Sequence, residues 1–375
     1  MTTAIFTTTW PRVIRVVWLY VVMGVGCTNT LKNVDFGENA RTVEPVSARA
    51  AIISLAYSDD GKTIAALHEF VHPHDTRCSP GGAPRSWLRV WNVDDESHDW
   101  YSNNGLDLGS AALGSRAFGA IRFSRDGKEI YVAHEGKDGG KLAVWNTDNN
   151  QLEHRHLGWV RAVGPHADVI VTHDDETGLS ICDQHGQPID HAWQSEEIRK
   201  GFPPGWRDSF SADGRLIGIL VEKSDWPKTV FIVDWQTGKA QSSFTAEKSF
   251  WNFAISPNGR LIAMTGFDGP DIEVRDAQNG KLITTLKMEA DDFWDVAFSP
   301  DGELLAVSGC TEPEKKKNRQ GQTAVWHIST WQKLKTFIDR DSWATTAVTF
   351  SRDSKTLACG TTNGTIRFHQ VESQD

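Results

Sequence analysis

The sequence has no P-loop, no G-x-G-x-x-G fingerprint and no nucleophile elbow, which removes the usual local signs of nucleotide binding and acyl transfer. It is also short of basic residues. Its 49 acidic against 39 basic side chains give a formal charge of −10, the opposite of the electrostatic footprint that a nucleic-acid partner requires. Cysteine is scarce, with five in 375 residues, and no pair of them has metal-ligand spacing. No disulfide framework, metal site or cofactor is therefore expected. Cys182 and Cys359 fall inside apolar runs, where a thiol packs as a small hydrophobe. What the chain does have is enough apolar surface to fold, at 39% hydrophobic and 10% aromatic residues, 16 of them tryptophan.

The first 27 residues stand apart. Met1 to Pro11 carries no acid, Arg12 and Arg15 follow, and Val16 to Gly26 is an apolar or glycine run of eleven residues before Cys27. That layout predicts a secretory signal over 1–27. The run falls short of the about 20 apolar residues of a spanning helix. The Gly26-Cys27 step resembles a bacterial lipobox, and the resemblance implies lipidation at Cys27, although Gly24 stands where such boxes usually carry leucine. An ordinary cleaved signal or short anchor is the alternative. Residues 28–39 read as a polar tether.

After the tether the chain repeats one sentence, clearest at Phe293 to Val307: alternating apolar residues, then Ser299-Pro-Asp-Gly302, then a second apolar run. Proline presets φ and glycine supplies a positive φ, so the sentence predicts a β-hairpin. The turn positions Gly61, Gly127, Gly214, Gly259, Gly302 and Ser354 are 66, 87, 45, 43 and 52 residues apart. The doubled interval hides a further copy, in which Trp159 to Val163 and Asp168 to Thr172 flank a decayed turn, Gly164-Pro165-His166. Each copy continues into a third strand, such as Leu142 to Asn146 or Thr323 to His327, and a fourth, such as Lys281 to Lys287. Seven units of about 45 residues with four antiparallel strands each predict an all-β, seven-bladed β-propeller.

Through its Ser-Pro-Asp-Gly hairpins and its Val-Trp-Asn strand ends, the region from Ala40 to Asp375 resembles the WD-repeat β-propeller family. The family's Gly-His pair is missing from every copy, with Ala246-Glu247, Met288-Glu289 and Asp339-Arg340 in its place. Its buried His-Ser-Asp-Trp network therefore cannot form in the usual shape. The expected blades span 51–108, 117–157, 158–195, 205–248, 249–289, 292–341 and 343–375. The last stops at its third strand, so residues 40–46 are expected to supply its outer strand and close a monomeric ring, as the family does.

His68-Glu-Phe-Val-His72, with His74 and Cys78 behind it, matches the H-E-x-x-H zinc pattern. The pattern needs a helix to bring both histidines to one face, whereas His68 ends a predicted strand. His134 and His173 recur at matching strand ends with an acid after each, so the repeat explains the pattern and these histidines read as solvated strand ends.

Two insertions, His72 to Ser86 and Cys310 to Gln322, decorate one mouth of the expected ring. The same mouth carries a sharper signal. Five residues before Ser211, Ser256 and Ser299 stand Trp206, Trp251 and Trp294, where the chain joins the innermost strand of three successive blades. The family resemblance implies partner contacts at that position, and tryptophan combines large area with a polar handle. Inter-blade packing of the same indoles is the competing account. The leading expectation is a non-catalytic protein- or peptide-binding scaffold at the bacterial cell envelope, touching a membrane only through a lipid at Cys27. An enzyme or ligand sensor using channel residues such as Arg122, Asp208 and Asp295 is the alternative, and a cytosolic scaffold is another.

Overall fold

A computed structural model of the protein describes residues 41–43, 50–70, 86–93, 106–107, 117–136, 139–149, 151–155, 157–174, 176–189, 193–201, 210–211, 213–221, 228–246, 250–266, 271–311 and 319–371. The described chain forms seven antiparallel sheets, six of them meanders of successive strands and the seventh joining Arg41–Val43 to the last three strands. We number these blades 1 to 7. Blade 1 begins with Ala50–Tyr57, blade 2 with Ala117–Phe123, blade 3 with Trp159–Val163, blade 5 with Phe250–Ile255, blade 6 with Asp292–Phe298 and blade 7 with Thr345–Phe350.

Among the described residues five sheets have four strands and two have three. In blade 4 the described strands start at Leu216–Val221, with Phe210 bridged to Ile217 on their inner side. In blade 3 the third strand, Gly178–Cys182, has other partners on its outer edge. Ile189 N–H donates to the Ile181 carbonyl at 2.9 Å, and the Trp193 indole donates to the Leu179 carbonyl at 3.0 Å. The edge carbonyls are satisfied without a fourth strand, as buried backbone requires. A short helix, Glu196–Arg199, follows, capped by the Ser195 hydroxyl, and it presses Ile198 between blades 3 and 4.

The hairpins between first and second strands are held by more than proline and glycine. In six blades the turn serine donates its hydroxyl to the acid or amide two residues on, at 2.5 to 2.8 Å: Ser58 to Asp60, Ser124 to Asp126, Ser211 to Asp213, Ser256 to Asn258, Ser299 to Asp301 and Ser351 to Asp353. The same oxygen accepts the backbone N–H five residues on, as from Leu304 at 2.8 Å. These bonds favour the ionised carboxylate and hold Asp60, Asp126 and Asp353 below the usual range. Ser354 takes the glycine's place in blade 7 at φ 61°, a conformation that disfavours a side chain. Its hydroxyl accepts the Asp301 N–H of the neighbouring turn at 3.2 Å, which offsets that cost.

Seven apolar clusters lie between the seven blades, and the last joins blade 7 to blade 1 through Ala347, Ala358 and Ile366 against Ile52, Leu55 and Ile64. As many interfaces as blades means a closed ring. Arg41–Val43 pairs antiparallel with Ile366–Gln370 and completes the fourth strand of blade 7.

On that same strand the His369 ring stacks on Phe337 of blade 6, with centroids 4.0 Å apart and planes 16° from parallel. Burial, then the Arg367 charge, pushes its pKa from 6.5 down to about 4. The native state therefore holds a neutral imidazole while the unfolded chain takes up a proton below pH 6.5. Stability from this group is complete above pH 6.5 and falls as pH drops towards 4, by up to about 3 kcal/mol. The His369→Phe variant should lose this dependence in urea titrations across that window. Equal slopes for variant and wild type would refute the burial account.

Candidate binding face

An extra residue in one strand of an antiparallel pair bends the strand and re-aims its side chain. The innermost strands of blades 1, 5, 6 and 7 each carry such a bulge, at Ile53, Trp251, Trp294 and Thr346, five residues before the turn serine. In blade 3 the irregularity falls at Arg161. The position singled out by counting back from the serines is thus a backbone bulge. It lies at the end of the blade opposite the Ser-x-Asp-Gly turns, on the side of the links between blades.

Trp294 is half-buried there. Its ring meets Trp343 of blade 7 edge to face, with centroids 5.9 Å apart and planes at 78°. The indole Nε1 is buried. Beside it burial, reinforced by the Asp292 charge and opposed by that of Arg319, pushes the Cys310 thiol up to about 12. Packing therefore encloses the N–H group of this indole, while the residue as a whole keeps partial exposure. Of the other two tryptophans, Trp206 lies outside the described residues. Trp251 is placed only as a bulge residue in its strand.

Sequence reasoning missed Trp343. It stands three residues before the equivalent bulge position, held by Thr346, so a strict count from Ser351 passes over it. A search for aromatics near each strand start, not only at a fixed offset, would have found it.

Around the same face runs a belt of side-chain bonds between innermost strands. The Asn252 amide donates to the Trp294 carbonyl. Val348 N–H of blade 7 donates to Asp295 Oδ2 of blade 6 at 2.9 Å. The Thr346 hydroxyl donates to the Ile52 carbonyl of blade 1 at 2.5 Å. Asn252, Asp295 and Thr346 are all buried. Arg122, in blade 2, is drawn down to about 10 by burial, opposed by the Asp295 charge, so these two channel residues lie within electrostatic reach of each other. Asp208 lies outside the described residues.

His68 corrects its expectation. It is 2% exposed, inside strand Thr63–Phe70 between Ile52 and Trp87, with its ring 6.1 Å from that of Trp91. The second strand runs two residues past it, so it is interior and not a solvated end. Its strand geometry is wrong for H-E-x-x-H. His72, His74 and Cys78 lie outside the described residues, as do Cys27 and the signal and tether segments. Cys182, Cys310 and Cys359 are buried free thiols. Among the described residues no group of three or more His, Cys, Asp or Glu side chains could hold a metal, and no helix is long and apolar enough to cross a membrane.

Comparison with known proteins fits this geometry. Residues 280–312 and 331–370, in blades 5 to 7, match the family model WD40, described as WD domain, G-beta repeat. No curated protein matches the sequence. Among solved structures, a chain of the entity titled "Crystal Structure of Mitotic Checkpoint Complex" superposes at a TM-score of 0.61 and 14% identity, covering 93% of this chain and 100% of its own. The two matched segments are thus similar to WD repeats, and the likeness to the solved chain is one of fold.

Proposed function

We propose that this WD-repeat propeller is a non-catalytic scaffold that binds a protein or peptide at the mouth carrying the bulges. The observation that carries this reading is Trp294, placed by a strand bulge, backed by Trp343 and half-buried. A backed and rigid aromatic presents contact area with little further loss of side-chain freedom, which is how interface anchors work. The match to WD repeats and the likeness to a subunit of a complex support an interaction scaffold in general. Asp295 accepts the Val296 N–H of its own strand and the Val348 N–H of blade 7, which argues for a structural use of that carboxylate.

The test is affinity capture with mass spectrometry, comparing the wild type with Trp294→Ala. A partner should be lost with the variant, its affinity weakened about 30-fold as for a central anchor, while the variant keeps a cooperative unfolding transition. Undiminished capture would remove Trp294 from the interface, and loss of the transition would make it a packing residue.

The basic and apolar layout of residues 1–27 supports export to a bacterial cell envelope with Cys27 as an acylated N-terminus. Intact mass of the mature chain tests this. A chain that keeps Met1 would rule out the acylated N-terminus.

A further inference from the structure

The face opposite the tryptophan mouth, built from the Ser-x-Asp-Gly turns, has its own concavity. A groove of about 440 Å³ opens between blades 4 and 5, lined by Asp213, Arg215, Asp234, Lys239, Asn258 and Arg260 among others. We propose that this groove binds a carboxylate-rich segment of a protein partner.

The acids of the groove are already matched within blade 4. Asp213 accepts the Ser211 hydroxyl and the Arg215 N–H. Asp234 accepts the Arg215 guanidinium at 2.9 Å and the Thr237 N–H at 3.2 Å. Both acids and Arg215 are thus engaged inside blade 4. Blade 5 repeats this geometry with one difference. Its residues Arg260 and Asp276 stand where blade 4 has Arg215 and Asp234, since Leu216 pairs with Asp234 and Leu261 with Asp276. Yet Asp276 accepts the N–H groups of Gln278 and Asn279 on one oxygen, and Arg260 makes no ion pair among the described residues. Lys239, on the blade 4 wall, makes none either.

The turn next to Arg260 adds to the excess. Five of the six described Ser-x-Asp-Gly type turns place an aspartate two residues after the serine, while blade 5 has the neutral Asn258. Asn258 makes the same bonds to the Ser256 hydroxyl and the Arg260 N–H without bringing a negative charge. Two exposed cations from different blades therefore overlook one polar groove in a chain whose net charge is −10. Such a local reversal of sign attracts and orients an acidic partner.

This inference does not depend on the tryptophan mouth, and its test separates the two. Fluorescence anisotropy of a labelled octaglutamate peptide is measured on the full chain, on Lys239→Glu with Arg260→Glu, on Lys239→Gln with Arg260→Gln, and on Trp294→Ala. The wild type and Trp294→Ala should bind alike, with affinity falling as salt rises. Both double variants should bind at least about tenfold more weakly, the reversal more so than the neutralisation. Failure of the wild type to bind octaglutamate, or equal affinity in the double variants, would overturn the assignment. So would displacement of the peptide by inorganic phosphate but not by acetate, because the groove would then read phosphate rather than carboxylate.

Discussion

The Asp295→Ala variant should lose about 3 to 5 kcal/mol of stability at pH 7, among the largest effects of any single substitution outside the apolar core. The residue is 7% exposed and its carboxylate accepts two backbone N–H groups, Val296 in its own strand at 3.0 Å and Val348 in the next blade at 2.9 Å. Hydrogen bonds to a charged group are worth about 1.5 to 3 kcal/mol, and a buried donor left without its acceptor costs about 1 to 3 kcal/mol more. Truncation would also remove a negative charge that favours the charged form of Arg122. Asp295→Asn keeps an acceptor oxygen but loses the charge, so it should cost about half as much. Urea unfolding midpoints give the comparison. A loss below about 1 kcal/mol in Asp295→Ala would show that the belt between innermost strands is incidental.

The belt also marks how far the sequence could be read. Turn spacing was enough for the all-β class, the seven units and the decayed copy, because Gly302 and its equivalents answer to a local requirement on φ. Trp159–Val163 appears as a strand just where that spacing left room for one. The closed ring depends on inter-blade packing, and the alternation of apolar residues signals burial without naming the neighbour. Side-chain bonds across blades were not legible at all. Asn252 and Asp295 share an offset of four residues before their serines, but Asn252 bonds a carbonyl whereas Asp295 bonds an amide, so a common position hides opposite chemistry. The bulge likewise could not be read from residue types, since Ile53, Trp251, Trp294 and Thr346 have no property in common. Counting found the position, and only coordinates revealed that the backbone changes direction there. The outer edge of blade 3 was illegible for a different reason: its carbonyls are satisfied by an isolated amide and an indole, which leave no periodic trace.

The missing Gly-His pairs raise the question of what fastens the blades in their place, and blade 7 gives one answer. Asp339, which occupies that position at the end of the fourth strand of blade 6, is 6% exposed on its side chain and paired with Arg367, 7% exposed, on the third strand of blade 7. Arg367 Nε donates to Asp339 Oδ2 at 2.6 Å and its Nη2 to Oδ1 at 3.2 Å, while Asp341 accepts from Nη2 at 3.1 Å. Asp339 also accepts the Asp341 N–H at 3.0 Å. Since desolvation offsets most of the attraction between buried ions, the pair adds little net stability over an apolar substitute, but removing one partner strands the other. Arg367→Met should therefore cost about 3 to 5 kcal/mol. Adding Asp339→Asn removes the stranded charge and keeps an acceptor for Asp341, so the double variant should recover at least half of that loss. A double variant as unstable as the sum of the two singles would mean that the residues do not act as a pair. The same strand pairs with Arg41–Val43, placing this ion pair beside the ring's closing strand. Arg367→Met should then also speed hydrogen exchange at the amides of residues 366–370 more than at those of blade 5, which shares no side chain with the pair. Uniform acceleration around the ring would instead make the loss global, and the clasp between blades 6 and 7 would have no local role in holding the closure.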